Sequence, residues 1–147
     1  MTVNLFLLMG ESNTRKSSSV RSLTGIGKLR ECNIELAGGK EIAVFTMIQA
    51  LQEKGVSPAK FIQMIKRGNY SNVLTPLRIR PAKGNPDWKK YIEYFLAEGW
   101  HINPIFVLGA DSLPYQLSSK IVTRFIRNPQ RPNSQNAKEI KKVWGWA

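Results

Sequence analysis

Val3 to Met9 constrains the fold more than any other stretch of this chain. It is an apolar run interrupted only by Asn4, it carries β-branched and aromatic side chains, and it stops at Gly10. A run without polar alternation suits a strand buried on both faces. Lys16 to Leu23 then has helical spacing, with Val20 and Leu23 available to pack inward and Thr24 and Gly25 to end it. Asn33 to Ala37 and Glu41 to Met47 flank a Gly-Gly turn and predict a hairpin. Gln49, Gln52 and Glu53 read as the start of a short helix before Gly55, at the end of the preceding strand.

The second half repeats this grammar. Ser57 caps a helix with Pro58 at its first position and Gly68 at its stop, and Phe61, Ile62 and Ile65 share one face. Ser71 to Ile79 predicts a strand, and Pro76 within it suits an edge or a strand end. Asn85 is read as the cap of a helix with Pro86 first, Asp87 in the first turn and Gly99 after it. Ile102 to Leu108 follows as a strand and Leu113 to Ile126 as a helix starting near Pro114. The segment Asn128 to Asn136 is expected to be extended, and a short basic helix, Ala137 to Trp144, closes the order.

Strands alternating with helices in this way predict an α/β fold, a three-layer sandwich around a mainly parallel sheet. Neither a repeat nor a linker divides the chain, so residues 1–147 are expected to form one domain. At 147 residues and 42% hydrophobic content the chain can bury a sizeable core. Cys32 is the only cysteine, which excludes an internal disulfide and a cysteine metal cluster. No apolar run is long enough to span a bilayer and the first residues lack the pattern of a signal peptide, so a reduced, cytoplasmic protein without a membrane partner is expected. The charge is the strongest compositional signal: 22 Lys and Arg against 10 Asp and Glu, formally +12. That balance favours polyanions, either nucleotide phosphates or nucleic acid.

Gly10 to Ser17 reads G-E-S-N-T-R-K-S, the spacing G-x-x-x-x-G-K-[ST] with Arg15 in place of the second glycine. A buried strand delivers the chain to this loop and a helix leaves it, so backbone N–H groups of the loop and first turn converge where an anion is favoured. The segment resembles the P-loop (Walker A) of P-loop NTPases, closely over about twenty residues and loosely in the β-α order of the whole chain. The resemblance implies ATP or GTP as ligand with Mg²⁺. It assigns nucleotide contacts to Gly10, Ser12, Asn13, Thr14, Arg15, Lys16, Ser17 and Ser18. Lys16 would reach the β- and γ-phosphates, and the Ser17 hydroxyl would ligate the metal. The departure is Arg15, since a glycine lets the backbone approach phosphates without a Cβ. An arginine is accommodated there if its φ is ordinary, its guanidinium then free to join the phosphate contacts, and otherwise it distorts the loop.

An enzyme of this class, whether NTP hydrolase or small kinase-like phosphotransferase, also needs an acidic residue at a second strand end. Asp111, after the strand Ile102 to Leu108, is the best candidate, with a helix N-cap as its alternative role. Arg78 and Arg80 end the strand Ser71 to Ile79, on the edge where open α/β sheets bind ligands. Arg78 is the first choice to support the transferring phosphoryl group, ahead of Arg124 and Arg127 on a late helix face. Glu11 would face phosphates unfavourably unless it points away or meets a metal. Gln49, Gln52 and Glu53 either approach a nucleotide from the end of the strand Glu41 to Met47 or start the helix before Gly55. Two alternatives stand beside the nucleotide reading: a basic nucleic-acid-binding module, favoured by the charge and by Trp144 and Trp146 if exposed, and a degenerate, non-catalytic P-loop scaffold.

Overall fold

The computed structural model describes residues 2–11, 14–26, 30–113 and 120–147. Its elements run β1 (Asn4–Gly10), α1 (Lys16–Thr24), β2 (Arg30–Glu35), β3 (Glu41–Thr46), α2 (Leu51–Lys54), α3 (Pro58–Gly68), β4 (Asn72–Arg78), α4 (Trp88–Ala97), β5 (His101–Ile102), β6 (Ile105–Leu108), β7 (Thr123–Ile126) and α5 (Asn133–Trp144). One mixed, mostly parallel sheet has the order β2-β3-β4-β1-β6-β7, with β5 also paired to β1. Among the described strands only the β2–β3 hairpin is antiparallel.

β1 is central because it is apolar on both faces. Leu5, Leu7 and Met9 pack with Phe61, Ile62 and Ile65 of α3 and with Trp88, Tyr91, Ile92 and Phe95 of α4. Phe6 and Leu8 pack with Val20 and Leu23 of α1 and with Ala137, Ile140 and Trp144 of α5. The fold is thus α/β with helices on both faces of the sheet, the layering expected of a three-layer sandwich. The chain leaves β1 for β3, returns to β4 beside β1, then crosses to β6 on the other side. The strand order reverses at β1, whose C-terminal end is therefore where an open α/β sheet leaves a crevice.

Helix ends follow their sequence signals, with two shifts: α3 closes at Asn69 rather than Gly68, and α4 opens at Asp87 rather than Asn85. The Ser57 Oγ accepts from Lys60 N at 3.2 Å, Pro58 opens α3, and Asn69 closes it at φ 55°. The Asp87 Oδ1 that caps α4 accepts from Lys90 N at 3.3 Å. Asn85 instead makes a local bridge with Ala82.

Four expectations are corrected. The helix expected over Leu113 to Ile126 is not what its described residues form: Thr123–Ile126 is strand β7, and residues 114–119 lie outside the described residues. Apolar Phe125 and Ile126 satisfy a sheet edge as well as a helix face, and here they pair with Val107 and Leu108. Arg124 is accordingly on a strand and Arg127 follows it. The strand Ile102 to Leu108 is broken at Asn103-Pro104, because Pro104 has no N–H for a ladder. The Asn103 backbone N–H and side-chain Nδ2 both donate to Leu5 O there, at 3.0 and 3.1 Å. The segment expected to be extended through Asn136 already turns helical at Asn133. Finally, β4 lies inside the sheet although it holds Pro76. β3 pairs only with Val73 and Leu74, so Pro76 falls beyond the reach of that neighbour.

Candidate functional site

The C-terminal ends of the three central strands meet at Gly10, which lies in register with Arg78 on β4 and Leu108 on β6. Gly10 has to be glycine for a steric reason. A Cβ there would run into the Thr14 hydroxyl and stand 3.0 Å from the Leu108 carbonyl oxygen. The Thr14 Oγ1 donates to Glu11 O at 2.8 Å and the Lys16 Nζ donates to the same oxygen at 2.6 Å, so the turn after β1 is drawn in on itself.

Arg15 occupies the glycine position with φ 64° and ψ 31°, a left-handed conformation that L-residues adopt at a cost. The backbone therefore takes the turn a glycine would take, side chain notwithstanding. α1 starts immediately afterwards with no side-chain cap. The Ser19 N–H already donates to Arg15 O at 2.9 Å, whereas the N–H groups of Lys16, Ser17 and Ser18 belong to the first turn and have no intrahelical acceptor. Those N–H groups and the positive end of the helix dipole face whatever lies in front of the helix.

In front of it is a cavity of about 410 Å³ lined by Thr14, Arg15, Lys16, Ser17, Ser18, Ala50, Glu53 and Arg78. That size falls within the roughly 300–1,000 Å³ usual for small-molecule sites. Among the described residues, three cations there face one carboxylate. Lys16 is only 7% exposed. Burial pushes its ammonium below its ordinary pKa; the Glu53 carboxylate opposes this, the Arg78 cation adds to it, and Glu11 again opposes it.

Arg78 is placed by α2. Gln52 clasps its backbone from both sides: Arg78 N donates to Gln52 Oε1 at 3.0 Å and Gln52 Nε2 donates to Arg78 O at 2.8 Å. The Arg78 guanidinium lies 3.9 Å from Glu53, a loose pairing, and its buried Nε has no hydrogen-bond partner among the described residues. A buried donor without an acceptor is costly in protein and is relieved by any anion that reaches it. Glu11 does not line the cavity. Its carboxylate is taken by Arg80, whose Nε and backbone N donate to it at 2.6 and 3.1 Å. The Ser17 Oγ donates to Ile48 O at 3.1 Å, leaving its lone pairs available.

The structure thus brings together Thr14, Arg15, Lys16, Ser17, Ser18 and Arg78, with Gly10 shaping the turn beneath them. Ser12 and Asn13 lie outside the described residues. Asp111 is exposed in the segment after β6 and is not among the residues lining the cavity. The carboxylate that does line it is Glu53, one of the residues after the strand Glu41 to Met47 that could approach a ligand from the strand's end or start a helix, and it does both. The β3-α2 turn is what delivers it. Arg80 is engaged by Glu11, and Arg124 is exposed on β7. Trp144 and Trp146 are buried against Phe6, so neither offers a ring for stacking on bases. Among the described residues no helix is long and apolar enough to cross a membrane.

Comparison with protein-family models, with curated proteins and with solved structures found no match to this chain.

Proposed function

We propose that this is a nucleotide-binding protein of the P-loop type, holding the phosphates of ATP or GTP in the cavity before α1. One observation carries the reading: a buried lysine, an arginine whose Nε lacks a partner among the described residues and the uncapped first turn of a helix all border one cavity at the topological switch point. A phosphate in that cavity would give the first-turn N–H groups an acceptor and the Lys16 and Arg78 cations a counter-charge. In this reading the N–H groups of Lys16, Ser17 and Ser18 hold phosphate oxygens, Lys16 pairs with them as a mobile charge, and Arg78 neutralises the terminal phosphate.

The oxygen donors present suit Mg²⁺. The Ser17 hydroxyl and the Glu53 carboxylate both line the cavity, and Mg²⁺ typically takes one or two carboxylates plus substrate phosphates. Among the described residues no cluster of three or more acidic, histidine or cysteine ligands is found, so the phosphates would have to supply part of the coordination. Bound there, Mg²⁺ would offset the charge of the β- and γ-phosphates. The reaction class that follows is NTP hydrolysis or phosphoryl transfer, with Arg78 and Lys16 stabilising the transferring group. The test is calorimetric titration with ATP and GTP, with and without Mg²⁺, on the wild type and Lys16→Ala. Saturable binding lost in the variant supports the reading, and heat-silent titrations of folded wild type overturn it.

A second reading has one observation of its own. Ser22, Ser134, Lys138, Lys141 and Lys142 line a groove of about 520 Å³ between α1 and α5, together with Trp146. Three lysines on one groove suit a nucleic-acid backbone, and binding that falls steeply with salt would favour it.

A further inference from the structure

We infer that Arg15 is a third cationic arm of the cavity and makes the site selective for the most highly charged phosphate chain, a triphosphate over a diphosphate. This rests on the nucleotide reading above. A glycine at this position would give the same backbone turn without strain, so what the arginine adds is its side chain. The Arg15 Nη1 donates to the carbonyl oxygens of Gln130 and Arg131 at 3.5 and 3.4 Å. Both contacts are long and both acceptors are neutral. A phosphate oxygen is charged and suits the guanidinium fork, so it competes well for the same donor.

The carbonyls that hold Arg15 are themselves fixed. Arg131 donates to Asn136 Oδ1 at 2.9 Å and to Glu139 Oε2 at 2.6 Å, and Gln130 N donates to Asn128 Oδ1 at 3.1 Å. Arg131 is thereby engaged by α5, while Arg15 borders the cavity beside Lys16 and Arg78. Among the described residues Glu53 is the one carboxylate lining the cavity, and Glu11, which also acts on Lys16, is engaged by Arg80. The lining therefore has a surplus of positive charge that grows with Arg15 and rewards each further negative charge on the ligand.

The test measures ATP, ADP and tripolyphosphate affinities for wild type, Arg15→Gly, Arg15→Asn and Arg15→Lys, with thermal unfolding of each. Glycine keeps the left-handed turn, asparagine tolerates it without a charge, and lysine restores the charge. Arg15→Gly and Arg15→Asn should each lose about tenfold or more in ATP affinity. ADP should lose less, and Arg15→Lys should recover part of the loss. An unchanged ATP-to-ADP ratio in Arg15→Gly overturns the inference while leaving the nucleotide reading intact. So does a loss in glycine that asparagine does not share, which would be loop flexibility. Wild type that binds none of the three overturns both.

Discussion

The turn after β1 depends on the absence of one methyl group, and a double-mutant cycle exposes that dependence. Gly10 does not have a left-handed φ, so alanine there meets no backbone penalty and its effect is purely steric. The added Cβ would run into the Thr14 hydroxyl, stand 3.2 Å from Thr14 Cβ and reach to 3.0 Å from the backbone oxygen of Leu108. Overpacking of this kind costs about 1–3 kcal/mol, and the backbone neighbour, which cannot turn aside, argues for the upper half of that range. Thr14→Ala alone removes the 2.8 Å hydrogen bond to Glu11 O, a loss of about 0.5–1.5 kcal/mol. In the double variant the hydroxyl that obstructs the new methyl group is already gone. The pair should therefore cost less than the sum by about 1 kcal/mol, with a residue of strain left at Leu108 and at the Thr14 backbone. Urea unfolding of the four proteins measures this directly. Additivity within about 0.5 kcal/mol would refute the argument that the Thr14 hydroxyl excludes a side chain at position 10.

Two further outcomes follow from burial. Trp144→Ala should cost about 3–5 kcal/mol in urea unfolding, because the indole packs on Phe6 and Trp146 and its Nε1 donates to Pro104 O at 2.7 Å; Trp144→Phe, which keeps most of the packing, should cost clearly less. The buried Lys16 ammonium binds its proton more weakly in the folded chain than in the unfolded one. Stability should therefore rise with pH from the folded pKa up to the unfolded value of about 10.4 and then level off. Comparing wild type with Lys16→Met from neutral to strongly alkaline pH isolates this rise, and a wild type that loses stability relative to the variant over that window would contradict it.

The fold was legible where one physical requirement dominated. The two-faced apolar strand Val3 to Met9 becomes the central β1, and Ser57-Pro58 and the Gly-Gly turn act locally, as their chemistry requires. It was illegible where partners decide. Phe125 and Ile126 fit either a helix or an edge strand, and only β6 selects the strand. Pro76 argues for an edge until the shortness of the β3–β4 pairing is known. The same division holds at the site. Gly10, Lys16, Ser17 and Arg78 are readable from spacing and strand ends. Glu53 is readable only as one of two roles, a helix start or a side chain near the ligand, because the Gln52 clasp on the Arg78 backbone that fixes α2 is a long-range contact without a sequence signature. Nor does spacing disclose that Arg15 adopts the left-handed turn or that Glu11 turns away to Arg80.

Amide NMR spectra recorded during titration with ATP and Mg²⁺ test the site most directly, since they report where the phosphates bind. Binding before α1 should shift the N–H signals of Thr14 to Ser18 and of Arg78, in saturable fashion, and Lys16→Ala should abolish the shifts. Shifts confined to Ser134 to Lys142, with the first turn of α1 unmoved, would place the anion in the lysine groove and contradict phosphate binding by the loop.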